Sequence, residues 1–184
     1  NEKDSIKTYS QGETLFICGN RRMRINVIIT QEERTDIMKK PVVALVGRPN
    51  AGKSTLLNQI LDRKIAIVSD KAQTTRHRIT GVLTNETGQI VFLDTPGIFK
   101  PKRRLDRAMV ASAWSGMSDA DIVVLVVDAK KGFDDQTQSI VSKLNKNSIE
   151  AILVLNKVDL IQKEKLLELS AKINSAGNFT QTFM

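Results

Sequence analysis

Residues 42–54 read Val42-Val43-Ala44-Leu45-Val46-Gly47-Arg48-Pro49-Asn50-Ala51-Gly52-Lys53-Ser54. The opening run is apolar throughout and rich in valine, the pattern of a short strand covered on both faces. It passes directly into Gly47-Arg48-Pro49-Asn50-Ala51-Gly52-Lys53-Ser54, which fits GxxxxGK[ST] at every fixed position, and an amphipathic segment over residues 54–61 follows. A strand, a glycine-rich turn and a helix start in that order aim backbone N–H groups at a phosphate. The glycines let the backbone curl inward, Lys53 balances charge on the outer phosphates, and Ser54 offers an oxygen to Mg²⁺. Arg48, Pro49, Asn50, Ala51 and Thr55 are expected to line the same site.

Working outward, further apolar runs occur at Ile90-Val91-Phe92-Leu93, Ile122-Val123-Val124-Leu125-Val126-Val127 and Ala151-Ile152-Leu153-Val154-Leu155. Helices are expected at about 105–118, 135–147 and 162–175, so the order is strand, helix, strand, strand, helix, strand, helix, strand, helix. That alternation predicts an α/β fold of the P-loop NTPase type, a doubly wound, mostly parallel sheet with helices on both faces. Such sheets bind ligands beyond the carboxyl ends of their strands, so the residues after each apolar run matter most.

Two strand ends carry chemistry. Asp94-Thr95-Pro96-Gly97 places a carboxylate where it can hold Mg²⁺ through its water shell, with Gly97 letting the backbone approach a terminal phosphate and Ile98 next in line. Asn156-Lys157-Val158-Asp159 is suited to choosing a base. A carboxylate at Asp159 can accept from guanine N1–H and the 2-amino group, and adenine has a donor at neither place. At ~1.5–3 kcal/mol per hydrogen bond to a charged group, that difference is large enough to decide between GTP and ATP. Asn156 either bonds the other edge of the base or holds the phosphate loop, and the Lys157 stem can lie over the ring.

Composition narrows the class. A chain of 184 residues suits one domain plus an arm, at roughly 150 residues per domain. Apolar residues at 41% and charged residues at 26% exclude a wholly disordered, collagen-like or coiled-coil chain, and 4% aromatic residues require an aliphatic core. No run approaches the ~18 apolar residues of a membrane-spanning helix. Cys18 is the lone cysteine, which rules out an intramolecular disulfide and fits a reducing compartment, and His77, the lone histidine, rules out a multi-histidine metal cage. Net charge is +8, which favours polyanionic partners, and residues 41–184 hold most of the excess. Residues 1–37 form an unassigned leader with strand-like runs at Thr14-Leu15-Phe16-Ile17-Cys18 and Ile25-Asn26-Val27-Ile28-Ile29. Glu2, Asp4 and Glu13 argue against a mitochondrial transit peptide, and the main domain is expected to start at Met38.

GRPNAGKSTLLNQ, QTTRHRITG, DTPGI and NKVD together resemble the Era GTPases, in the larger TrmE-Era-EngA-like group of translation-factor-class GTPases. The resemblance covers about residues 39–184. Its most specific part is Gln73-Thr74-Thr75-Arg76-His77-Arg78, because the TrmE-like pattern has Asp where this chain has His77. It implies a first switch around residues 69–80, with Thr75 rather than Thr74 as the Mg²⁺ and γ-phosphate ligand. Ile98 stands where Ras-like enzymes carry the water-orienting Gln. Beside Lys53, Thr75 and Gly97, hydrolysis would then use backbone groups, a partner or a monovalent cation, and Asn50 occupies the position where potassium-activated relatives place a cation ligand. The basic run Lys100, Lys102, Arg103, Arg104 and Arg107 follows the second switch and reads either as a solvated loop or as a contact for RNA phosphates.

The resemblance further implies a cytoplasmic GTP/GDP switch acting on 16S rRNA and the small ribosomal subunit, with peripheral association at the inner membrane. Ser170-Ala171-Lys172 has the letters of the last base-contacting loop but lies inside the amphipathic run 166–173. The better sixth strand is Phe179-Thr180-Gln181-Thr182-Phe183-Met184, so the last loop, final helix and KH domain of the family are expected to be absent from the 38–184 domain. Alternative readings are the G domain of a TrmE-like tRNA-modification GTPase and a non-catalytic nucleotide-binding fragment. The base assignment makes a direct prediction. Asp159→Asn shifts preference from guanine to xanthine nucleotides, and unchanged preference in competition binding removes Asp159 from that role.

Overall fold

The computed structural model describes the backbone of residues 13–18 and 21–26, and residues 40–68, 78–85, 88–101 and 103–184. The chain divides into two compact units, Asn1–Lys39 and Lys40–Met184. In the first, β1 (Glu13–Cys18) pairs antiparallel with β2 (Arg21–Asn26), Cys18 opposite Arg21 and Glu13 opposite Asn26. Of the apolar run expected at residues 25–29, Ile25 and Asn26 end a strand that starts at Arg21, and residues 27–29 lie outside the described residues. Residues 21–26 read Arg-Arg-Met-Arg-Ile-Asn, so pairing with β1, rather than continuous hydropathy, sets where this strand begins.

The second unit is a six-stranded sheet, built from β3 (Val42–Gly47), β4 (Ile79–Asn85), β5 (Gly88–Asp94), β6 (Ile122–Asp128), β7 (Ala151–Asn156) and β8 (Phe179–Phe183). Its order is β4-β5-β3-β6-β7-β8, with β4 antiparallel to β5 and every other pair parallel. The helices are α1 (Lys53–Ile60), α2 (Arg104–Ser118), α3 (Asp135–Lys146) and α4 (Lys163–Ala176). Each expected helix is present within a residue or two. Ser170-Ala171-Lys172 lies in α4, and β8 extends the sheet beside β7 as the sequence suggested.

Alternation along the strands divides the core. Val123, Leu125 and Val127 of β6 join Ala44 and Val46 of β3 in packing against Ala113 and Met117 of α2, Ile140 and Leu144 of α3, and Leu169 and Ile173 of α4. Val124 and Val126 face the other way, with Val43, Leu45, Phe92 and Leu57 of α1. Period-two geometry sends successive side chains to opposite faces, so a continuous apolar run is what a strand covered on both sides requires. Helix ends follow local chemistry. Asp134 caps α3 by accepting the Thr137 N–H at 3.0 Å, and Lys143 and Lys146 sit in its last turn, where positive charge suits the helix dipole. Among the described residues no helix is long and apolar enough to cross a membrane.

Leu125 is fully buried at the centre of the larger cluster. Leu125→Ala is expected to cost about 2–5 kcal/mol of unfolding free energy in urea denaturation, from lost apolar contact and an incompletely collapsed cavity.

Candidate functional site

β3 lies between β5 and β6 in the sheet, so its carboxyl end opens onto the crevice where strand order reverses, the place that favours ligand binding. The glycine-rich loop leaves β3 at that point. Gly52, the N-cap of α1, has φ +99, and a Cβ there would fall 2.1 Å from Asn156 Nδ2. No side chain fits. The same Asn156 Nδ2 donates to Ala51 O at 2.9 Å, so the amide at the end of β7 holds the loop from that side. From the opposite side the loop after β5 closes in. Ile98 N–H donates to Gly47 O at 2.9 Å, and a Cβ on Gly97 would meet Pro49 N at 2.6 Å. The loop is thus gripped between two strand ends.

Lys53 is buried at the first turn of α1, and its Nζ donates to Arg48 O at 2.9 Å and Gly47 O at 3.4 Å. Burial pushes its ammonium down from 10.5 to about 8, against the opposing pull of the Asp94 carboxylate. Asp94 itself is fully buried and accepts from Ser54 Oγ at 2.5 Å. Two hard oxygens therefore meet beside a buried ammonium. That donor set suits Mg²⁺, which takes few protein oxygens and keeps several waters. Thr95 has a different task, since its buried hydroxyl donates to Leu45 O at 2.8 Å and fastens the strand end to β3. Pro96 is buried, and the Ile98 side chain is packed into the larger core cluster, turned away from any water-orienting role. Thr55 is exposed on α1.

After β7, Lys157 adopts a left-handed backbone (φ 59) ahead of the short turn Val158–Leu160. Its Nζ donates to Asn50 O at 2.8 Å and forms an ion pair with Asp128 Oδ2 at 2.7 Å. Val158 packs against the core, while Asp159 is exposed, with its carboxylate open to a ligand. Thr75 lies outside the described residues, as do Thr74, His77 and Lys102. Lys100, Arg103, Arg104 and Arg107 are exposed at the start of α2.

Three side chains of the site escaped sequence reasoning. Asp128 ends β6, a strand tip of the kind singled out for inspection, but nothing in its neighbours ties it to Lys157. Asp134 forms an ion pair with Arg48, and Gln136 Oε1 accepts from Arg48 Nε at 2.9 Å, so the N-terminus of α3 braces the phosphate loop. The only signal for Asp134 was its helix-cap position.

A phosphate loop at the carboxyl end of a parallel strand, a carboxylate at the next strand tip and an Asn-Lys-x-Asp segment at a third define a P-loop nucleotide-binding protein of the GTPase class. Residues 42–157 match the family model described as 50S ribosome-binding GTPase, and the chain belongs to that family. Within it, the chain is similar to GTPase Era of Bradyrhizobium sp. (strain BTAi1), 56% identical over 142 residues that make up 77% of this chain and 46% of that protein. The chain spans about half the length of the curated relatives it matches. Among solved structures it is similar to Era in complex with MgGDPNP and nucleotides 1506–1542 of 16S ribosomal RNA, with TM-score 0.74, 38% identity, and coverage of 80% of this chain and 51% of that one. It is also similar to NFeoB from S. thermophilus bound to GDP·AlF4⁻ and K⁺, with TM-score 0.51, 25% identity, and coverage of 65% and 45%.

The depressed Lys53 value sets a proton linkage. Free Lys in the unfolded chain titrates near 10.5 and folded Lys53 near 8. Between those values the unfolded state binds more protons, so the cost of burying this charge is fully present below pH 8 and is relieved as pH rises toward 10.5. A polyphosphate beside Lys53 restores the charged form. Titration calorimetry of GTP at about pH 9, in buffers of different ionisation enthalpy, is expected to show proton uptake that is absent at about pH 7 and lost in Lys53→Arg.

Proposed function

We propose that the Lys40–Met184 unit binds GTP and hydrolyses it to GDP and phosphate with Mg²⁺, as the switch of an Era-type protein. The observation that carries this reading is the convergence of the Ser54–Asp94 contact, the buried Lys53 and the Asn156–Ala51 bond on one glycine-rich loop. Backbone N–H groups of residues 47–54 and the Lys53 ammonium stabilise charge developing on the phosphoryl oxygens. Ser54 and Thr75 are the residues that would hold Mg²⁺ directly, with Asp94 holding its water shell. Bound there, the metal neutralises charge on the outer phosphates. Gly97 presents its backbone to the terminal phosphate, and Asp159 selects guanine. Arg48, Pro49, Ala51, Thr55, Thr95, Pro96 and Val158 shape the surrounding loops. Asn156 supports the site by holding the loop at Ala51.

With the Ile98 side chain in the core, ordering of the attacking water falls to backbone groups, a partner or a monovalent cation. Asn50, exposed with φ 60, is suited to the last of these, and the NFeoB structure holding K⁺ supports the same reading. Turnover without a partner is expected to be slow, on the order of 10⁻⁴–10⁻² s⁻¹. A role with 16S rRNA and the small ribosomal subunit, in the cytoplasm and peripherally at the inner membrane, rests on the likeness to Era. The crystal complex of Era with a 16S rRNA fragment supports its RNA part.

Phosphate release by the full chain tests both layers. GTP but not ATP is expected to be turned over in the presence of Mg²⁺, faster in K⁺ than in Na⁺, with Asn50→Ala erasing the difference between the two cations. Equal turnover of ATP would overturn the guanine reading, and a flat potassium titration of the wild type would remove Asn50 from catalysis.

A further inference from the structure

Asp128 closes β6 and is buried, with a relative exposure of 6%. Its two carboxylate oxygens have separate partners. Oδ1 accepts the backbone N–H of Lys130 at 3.0 Å and of Lys131 at 3.3 Å, closing the turn that follows the strand. Oδ2 accepts from Lys157 Nζ at 2.7 Å. That ammonium also donates to Asn50 O in the phosphate loop at 2.8 Å. Lysine is a long, flexible side chain whose head would otherwise sample many positions. Here two acceptors on separate segments fix it, while its own backbone sits in a left-handed conformation that surrounding contacts must hold.

We propose that Asp128 is a positioning residue for the guanine nucleotide. By engaging the Lys157 ammonium it holds the lysine stem at the base position. Through Asn50 O it ties that position to the phosphate loop, and so it slows nucleotide release. This rests on the reading that the unit binds guanine nucleotides. Asp128 acts through Lys157 and touches neither base nor phosphate itself. The effect is expected at the release step, because affinity differences among variants of one binding site lie mostly in the dissociation rate.

The test is stopped-flow displacement of mant-GDP from the full 184-residue chain in the presence of Mg²⁺. No binding of mant-GDP by the wild type would overturn the guanine-nucleotide reading and this proposal with it. Given wild-type binding, Asp128→Asn keeps an acceptor for the two turn N–H groups but loses the charge, and is expected to release mant-GDP roughly tenfold faster. Lys157→Met is expected to do the same, and the double variant to release no faster than the faster single, because both changes break one coupled interaction. Asp128→Glu, which retains the charge, is expected to recover at least half of the loss on a logarithmic scale. Release from Asp128→Asn within twofold of wild type, or effects that multiply in the double variant, would overturn the positioning role. Circular dichroism checks folding, and if Asp128→Asn is unfolded, Asp128→Ser replaces it with the same two outcomes, its hydroxyl accepting from the same turn.

Discussion

Much of the domain's layout follows from burying one ammonium group. Taking the Lys53 charge out of water is costly, and the fold offsets that cost with the carbonyls of Gly47 and Arg48 and with the field of Asp94. Each compensating group must sit at a strand tip or in the loop that leaves it, within reach of the first turn of α1. This demands that β3 lie beside β5, that β5 end at Asp94, and that the loop between Gly47 and Lys53 be tightly curled. The same arrangement leaves an ammonium of depressed basicity, a ready partner for an anion of higher charge density than a carbonyl.

The loop that surrounds Lys53 is held from outside as much as from within. Asn156 fixes it at Ala51, Lys157 at Asn50, the backbone after β5 at Gly47, and Arg48 reaches to the start of α3. These anchors come from different strands and helices, so the loop inherits the rigidity of the sheet. A preorganised array of N–H donors stabilises charge without reorganising at the moment of reaction, which makes such rigidity functional. Lys157 has a part at both ends, linking the expected base site to the phosphate loop, with Asp128 behind it.

Much of this was readable in one dimension. The β6 run, with valines alternating between two core clusters, could be recognised as a two-sided strand from continuous hydropathy alone. The phosphate loop, Asp94 and the Asn156–Asp159 segment were readable because each is a short string with its chemistry complete in itself. β2 was harder. Its start at Arg21 follows from pairing with β1, and three arginines in the strand hide it from a search for apolar runs. The helix that swallows Ser170-Ala171-Lys172 shows the converse, where periodicity correctly overruled a matching string.

The amino-acid order alone determined the α/β alternation, the nucleotide-binding loop and which residues cap the strands, since hydrophobic period and turn chemistry act between near neighbours. Tertiary structure alone decided what those residues touch. Asn156 donates to Ala51 O at 2.9 Å, with its Nδ2 only 2.1 Å from where a Cβ on Gly52 would stand, a contact that no local stretch of sequence discloses. Asp128 meets Lys157 across 29 residues, and Arg48 meets Asp134 across 86. Such contacts depend on strand order and register, quantities set by the packing of the whole sheet and carried by no local stretch of chain.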